Sequence, residues 1–432
     1  MSGRPLGRAG GSVAVTRTTA PQTKAARVAD PARRVASVGA VLRAVLESGP
    51  LARSTVARVT GLSPASVTGH CNDLVRLGLL RELPDRVRSN GAGRPHVPVD
   101  VDVTRHLVAA VHISVPTTTT ALLDLRGRVL ARRVTPHQAT DPERVLAGAA
   151  ESIGDLALAH AGDARLLGVG VAAGGWVDPV SGSVLDHPRL GWSGVPVRGL
   201  LGELTGLPVR VDGHARALLH AEVLLGRARH AGSVLHVFAG NVVDAAFAIR
   251  GEAHYGTRAQ AGAIAHLPVQ GSAEPCRCGR TGCLEATVSE QTLARRAHER
   301  GIIGAVDFKL LLAAAHAGDP EAMELLTERS RRIGRAVASL VDALGPELTI
   351  VTDAVLPFLP PALAALREAA ADSVHTVVDI DSSLMSTSFP GAVLETAAGA
   401  VLLDALYRDP LSWPGRGINS EGCNVDTPAA VR

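Results

Sequence analysis

Cys276-Arg277-Cys278-Gly279-Arg280-Thr281-Gly282-Cys283 sets three thiols within eight residues on a glycine-rich turn, and His266 stands ten residues upstream as a fourth donor. Three thiolates and an imidazole suit a closed, tetrahedral Zn²⁺ site whose role is structural rather than catalytic. Gly279 and Gly282 free the backbone to wrap an ion. Free thiols or a redox pair are the alternatives, and such close spacing in a reducing compartment favours the metal. Cys71, on the buried face of an expected helix, and Cys423, in a polar tail, do not join the site. Five cysteines so placed do not read as a secreted disulfide framework.

Working outward from this turn, the chain reads as α/β. Upstream, strands are expected over 107–115, 117–125 and 128–134, then a helix over 142–160 capped by Asp141 and a buried strand over 166–172. A second set starts with strands over 234–239 and 245–249. Helices are expected over 285–300, 308–317 and 320–344, a buried strand over 348–352, and a closing helix over 392–407. Two strand-rich halves with helices between them imply two α/β lobes and a ligand-binding cleft.

The first hundred residues have another texture. Residues 1–33 lack an apolar period and read as a flexible basic tail. Apolar residues at 35, 38, 41, 42, 45 and 46 mark one helical face, which Gly49-Pro50 stops. A short helix over 53–60, a turn at Gly61-Leu62 and a third helix capped by Ser63 and opened by Pro64 follow, and then a two-stranded wing containing Gly91 to Pro95. This is a winged helix-turn-helix pattern over 34–103, whose third helix would enter a major groove. Arg53, Ser63, Ala65, Ser66, Thr68, Gly69, His70 and Arg94 are the DNA-contact candidates, with Arg94 suited to a narrow minor groove. A three-helix protein-interaction module is the alternative.

Charge supports the DNA reading. Residues 1–94 hold fifteen Lys/Arg against five Asp/Glu, while the net charge of the whole chain is only +3, so a basic front end precedes an acidic body. With 46% hydrophobic and 20% charged residues the 432-residue composition is that of folded globular domains. The longest apolar stretch, 166–177, is short of the roughly 18 residues a membrane span needs, and the first thirty residues lack an apolar signal core. A cytoplasmic protein with no membrane partner is expected.

The stretch from Cys276 to Glu285, with His266, resembles the ROK family (repressors, uncharacterised reading frames and sugar kinases), and the resemblance spans residues 35 to about 408. It implies a two-lobed, actin-like ATPase-type body over 104–408 with an inserted zinc motif, a winged module as in the repressor branch, and a polar tail over 409–432. His266, Cys276, Cys278 and Cys283 match the family's metal ligands. His266 and Glu285 match sugar-contact residues, and Gly175 lies in the matching sugar loop. The kinase elements depart from the pattern. The first phosphate loop reads His112-Ile113-Ser114-Val115-Pro116, the second Gly240 to Asp244, and the adenosine glycine pair Thr352-Asp353. Where the family's Glu-Asn-Asp carries the general base, this chain reads Asp212-Gly213-His214. Loss of a phosphate cradle removes the positioning on which phosphoryl transfer depends, so no enzyme activity is expected. Gly175, Gly213, His214, His266 and Glu285 are the ligand-contact candidates, with a structural histidine as the alternative for His214, an ion-pair role as the alternative for Arg216, and core packing as the alternative for Trp192.

The resemblance therefore implies a homodimeric or tetrameric repressor of carbohydrate-related genes that binds operator DNA and a sugar-like effector. An active ATP-dependent sugar kinase and an effector-independent DNA-binding protein are the competing readings.

Overall fold

A computed structural model describes residues 31–84 and 97–413. It opens with α1 (Pro31–Ser48), α2 (Arg53–Thr60) and α3 (Pro64–Arg76). α1 starts at Pro31, inside the stretch expected as tail, because proline is accommodated in a helix's first turn. Gly61, at φ 68°, makes the left-handed turn between α2 and α3. Val38, Val41, Leu42 and Val45 of α1 meet Val56 of α2 and Val67, Cys71 and Leu74 of α3 in one buried cluster. β1 (Leu80–Glu82) and β2 (Val99–Val101) pair antiparallel, with Leu80 opposite Val101. Arg94 and Cys423 lie outside the described residues.

The first lobe contains β3 (His106–Ile113), β4 (Thr117–Asp124), β5 (Val129–Pro136), α4 (Pro142–His160), β6 (Arg165–Ala173), β7 (Trp176–Asp178), β8 (Ser183–His187), β9 (Trp192–Val195), α5 (Val197–Thr205) and β10 (Val209–Gly213). Its main sheet runs β10-β6-β3-β4-β5, parallel across β10, β6 and β3 and antiparallel beyond, while β7, β8 and β9 form a small separate sheet. α6 (His214–Leu224) leads to β11 (Ser233–Ala239), β12 (Val243–Ile249) and β13 (Glu252–Ala253). The second lobe continues with α7 (Leu284–Val288), α8 (Glu290–Glu299), α9 (Phe308–His316), α10 (Pro320–Leu344), β14 (Leu348–Asp353), α11 (Pro360–Ala371), α12 (Ile380–Ser383) and β15 (Leu384–Ser386), and α13 (Val393–Arg408) closes the described chain. Its sheet runs β13-β12-β11-β14-β15.

The single helix expected over 285–300 is two, broken at Ser289, whose hydroxyl accepts from the Thr292 amide to cap α8. α13 returns to the first lobe and lies against β6. A Cβ at Gly170 would stand 2.1 Å from the Ala398 carbonyl oxygen, so only glycine permits this approach. α13 also packs on α6 and on α1. Leu402, Leu406, Tyr407 and Trp413 share the buried cluster of the N-terminal helices, so the stretch expected as a polar tail from 409 contains a buried tryptophan.

Candidate metal centre and inter-lobe cleft

The donor atoms of His266, Cys276, Cys278 and Cys283 all lie within 4.8 Å of one another. The Cys276 Sγ to His266 Nδ1 distance is 3.5 Å, and Cys278 and Cys283 Sγ are 3.7 Å apart. A tetrahedral centre with Zn–S bonds of about 2.3 Å and a Zn–N bond of about 2.0 Å sets such donors roughly 3.5–3.8 Å apart, so the cluster fits that ion. The turn is built for it. The Cys276 amide donates to the Arg280 carbonyl at 2.8 Å, and the Gly279 amide donates to the Cys276 carbonyl at 3.0 Å. Gly279 and Gly282 take φ values of 85° and 72°. Arg280 Nε lies 3.4 Å from Cys278 Sγ, and this contact draws the Cys278 thiol down to about 6, towards the thiolate a metal needs. The Glu285 amide donates to the Ala265 carbonyl at 2.9 Å, so the cluster fastens the turn carrying His266 beside the start of α7.

The strand ends of β3, β11 and β14 face one another across a cleft, together with the starts of α6 and α13. The cavity there has a volume of about 310 Å³. His214, first residue of α6, and His112 of β3 stack with ring centroids 4.3 Å apart, and the Phe238 ring of β11 meets His214 edge-on at 5.4 Å. Both histidines are buried. Burial pulls the His214 imidazole down to about 4, with His187 adding to the effect. Burial and the neighbouring His214 hold His112 well below its ordinary range.

The turns that would hold phosphates are occupied by their own hydrogen bonds. The Ser114 amide donates to the Thr117 carbonyl at 3.0 Å and the Thr117 amide to Ser114 Oγ at 3.3 Å, while Pro116 has no amide hydrogen. In the second loop the Gly240 amide donates to the Val242 carbonyl at 3.0 Å and the Val243 amide to the Glu285 carboxylate at 3.2 Å. Asn241 Nδ2 donates to Glu290 at 3.0 Å. Asp353 pairs with the buried Arg329 guanidinium and accepts from the Val355 amide at 2.6 Å and the Leu356 amide at 3.1 Å. Burial pushes the Asp244 carboxyl up to about 7, with Arg216 opposing and Glu285 and Asp212 reinforcing the shift.

The ligand-contact candidates divide between the walls of the cleft. His214 lines the cavity. Gly213 precedes it, and Arg216 covers it by pairing with Asp212 at 2.6 Å and donating to the Val177 carbonyl at 2.9 Å, so Arg216 takes the ion-pair role. Gly175, at φ 76°, turns against β8, where a Cβ would meet the Asp186 carbonyl at 2.3 Å. Glu285 and His266 stand on the second lobe. Arg189, after β8, reaches across to Gln291 at 2.9 Å and faces Glu285 at 3.9 Å. Trp192 is core: it is buried and its Nε1 donates to the Thr140 carbonyl at 2.6 Å. Sequence reasoning missed His187, Phe238, Glu290 and Arg329, which belong to no motif and whose roles come from long-range packing alone.

Among the DNA-contact candidates, Ser63, Ala65, Ser66, Thr68 and Gly69 form an exposed face, and a Cβ at Gly69 would meet open space. Ser63 Oγ accepts from the Ser66 amide at 3.2 Å, and Thr68 Oγ1 donates to the Pro64 carbonyl at 2.9 Å. His70 is half-buried. Arg53 is tied to Asn72 at 2.9 Å and Glu82 at 2.7 Å, which joins α2, α3 and β1.

The ROK family model matches residues 108–380. A transcriptional regulator of Mycobacterium bovis is 37% identical over 390 residues, covering 87% of this chain and 86% of that protein. A putative xylose repressor of a Caldicellulosiruptor species is 24% identical over 325 residues, covering 72% of this chain and 81% of that protein. The crystal structure of a ROK family transcriptional regulator, a homologue of the Escherichia coli MLC protein, superposes with a TM-score of 0.74 at 21% identity, over 88% of this chain and 98% of its own. Its fold is therefore shared along most of the length. On the family match over both lobes and the identity to the mycobacterial protein, the chain belongs to the ROK family.

Proposed function

We propose that the protein is a DNA-binding transcriptional regulator, a repressor of carbohydrate-related genes, whose two-lobed body senses an effector and transfers no phosphoryl group. One observation carries the reading: a three-helix module with a capped, exposed third helix is joined through a continuous apolar core to a kinase-like body whose phosphate turns are filled by their own hydrogen bonds. The names of the mycobacterial and Caldicellulosiruptor relatives support it.

In this reading residues 34–103 form a winged helix-turn-helix. Ala65, Ser66 and Gly69 let the α3 backbone approach base edges, Ser63, Thr68 and His70 reach phosphates or bases, and Arg94 enters a minor groove. Arg53 acts through its hold on Asn72 and Glu82. A dimer or tetramer sets two recognition helices about one helical turn apart on a near-palindromic operator. Zn²⁺ bound by His266, Cys276, Cys278 and Cys283 would supply a structural crosslink holding His266 beside Glu285. A sugar or sugar derivative would contact these two residues together with Gly175, Gly213 and His214. The protein would work in the cytoplasm.

Regulation needs the two lobe arrangements to bind effector and operator differently. The physical link is α13. It packs on α6, whose first residue is His214, and its Tyr407 carbonyl accepts from Arg43 of α1 at 3.3 Å. A shift of α6 thereby reaches the DNA-binding helices. Two experiments test the proposal. Selection from random duplex DNA should enrich a near-palindromic site, and failure to enrich any sequence contradicts the regulator. A coupled assay with ATP and a panel of sugars should show no turnover, and a rate above about 1 s⁻¹, the low end for kinases, contradicts the loss of catalysis.

A further inference from the structure

The cavity between the lobes has walls that do not suit the phosphates of a nucleotide. Val115, Pro116, Phe238, Val242, Val393 and Leu394 supply an apolar side to it, and among the described residues no lysine or arginine lines it. An anionic ligand would find no counter-charge there. Of the two lining carboxylates, Asp353 is held by Arg329 and Glu290 accepts from Asn241. Burial also pushes the Glu290 carboxyl up, so a cationic ligand finds a weak partner.

The polar groups left over are specific. Both ring nitrogens of His214 and Nδ1 of His112 are buried and have no hydrogen-bond partner among the described residues. Such groups are rare and costly unless a ligand or water satisfies them. With protonation disfavoured by burial, each imidazole is neutral and offers one donor and one acceptor. The rings are held in place by their mutual stacking and by the Phe238 edge.

We propose that this cavity binds an uncharged, largely apolar small molecule bearing a hydroxyl or amide group, which pairs with one ring nitrogen of His214 while its hydrocarbon part packs on Phe238, Val393 and Leu394. A hydroxyl or amide can donate to that nitrogen or accept from it, whichever the tautomer of the neutral ring requires. The inference goes beyond the regulator reading and does not rest on it, because the cavity walls are the same whatever the N-terminal helices bind.

The test uses the full-length, zinc-loaded protein and four probes in calorimetry: benzamide and p-cresol as neutral compounds, benzoate as the charged counterpart of benzamide, and AMP as a nucleotide. Both neutral probes should bind saturably, and benzoate at least tenfold more weakly than benzamide. AMP should not displace benzamide. His214→Leu should weaken benzamide at least tenfold, and Leu394→Trp, which fills the space, should abolish its binding. In the unaltered protein, benzamide should shift the ¹⁵N ring signals of His214, a readout independent of how either variant folds. No saturable binding of either neutral probe overturns the proposal. So does equal binding of benzoate, displacement by AMP, undiminished binding in a folded Leu394→Trp variant, or unmoved His214 ring signals.

Discussion

Arg329 lies in the core of the second lobe, where its guanidinium donates to the Val288 carbonyl at 2.6 Å and the Ala239 carbonyl at 2.9 Å and pairs with Asp353. It thereby ties β14, β11 and α7 together beneath the cleft. Removing one partner leaves the other charge buried and unpaired. Asp353→Ala should therefore cost about 3–5 kcal/mol in denaturant unfolding, whereas exposed pairs such as Arg133–Asp155 should cost under about 1 kcal/mol. Asp244 gives a pH signature. Its carboxyl is raised to about 7 in the folded chain against 3.8 in the reference, so the folded state holds the proton more tightly and stability falls as pH rises between these values. Asp244→Asn should remove that slope and gain about 1–3 kcal/mol at pH 8, read as the difference between variant and parent across a pH series. Cys276→Ser should reduce bound zinc from one ion per chain to none, by elemental analysis, and lower the melting temperature by about 5 °C or more. At this scale the sequence was most legible where spacing alone constrains chemistry: the four donors that could hold a metal are three thiols on one turn and His266 on a neighbouring turn. Arg329–Asp353 was not legible, because its partners are 24 residues apart and meet only through sheet assembly.

At the scale of elements, caps and breakers announced themselves. Asp141 and Ser63 cap α4 and α3 as their sequence positions predict, and Asp319 caps α10. Ser63→Ala should cost about 1 kcal/mol in stability, measured by thermal unfolding, because the Ser66 amide loses its acceptor. The small sheet of β7, β8 and β9 and the short β10 were not read from the sequence. Their strands are three to five residues long, too short for a periodic signal. α6 is buried nearly all round, including Arg216, His220 and Glu222, so it has no apolar stripe to detect. That burial is also its role. Burial pulls the His220 imidazole down, but Asp404 of α13 and Asp212 outweigh it and raise it, so α6 and α13 are joined by charge as well as by packing.

For the whole molecule, the question is how the N-terminal helices are held to the body. A Cβ at Gly39 of α1 would stand 2.8 Å from the carbonyl oxygens of both Tyr407 and Arg408. Arg126 of the first lobe donates to the Leu46 carbonyl at 3.0 Å and pairs with Asp100 of β2. Gly39→Val should push α1 off α13 and cost about 1–3 kcal/mol by overpacking, read in unfolding experiments. On the proposed link, it should also preserve DNA affinity while removing the response to effector. The two lobes and the separate front module were legible from strand grouping and from the change in charge near residue 94. The joint between them was not, since no pattern within α1 or α13 says which faces meet.

In the proposed regulator one end of the chain binds DNA and the other controls it. A fluorescence-anisotropy titration against the DNA upstream of its own gene, at two salt concentrations and with and without a pool of mono- and disaccharides, tests it most directly. The prediction is tight binding that weakens steeply with salt, as phosphate contacts require, and weakens again when the sugar pool is added. Binding no stronger than to random duplex DNA of the same length, at both salt concentrations, would contradict it.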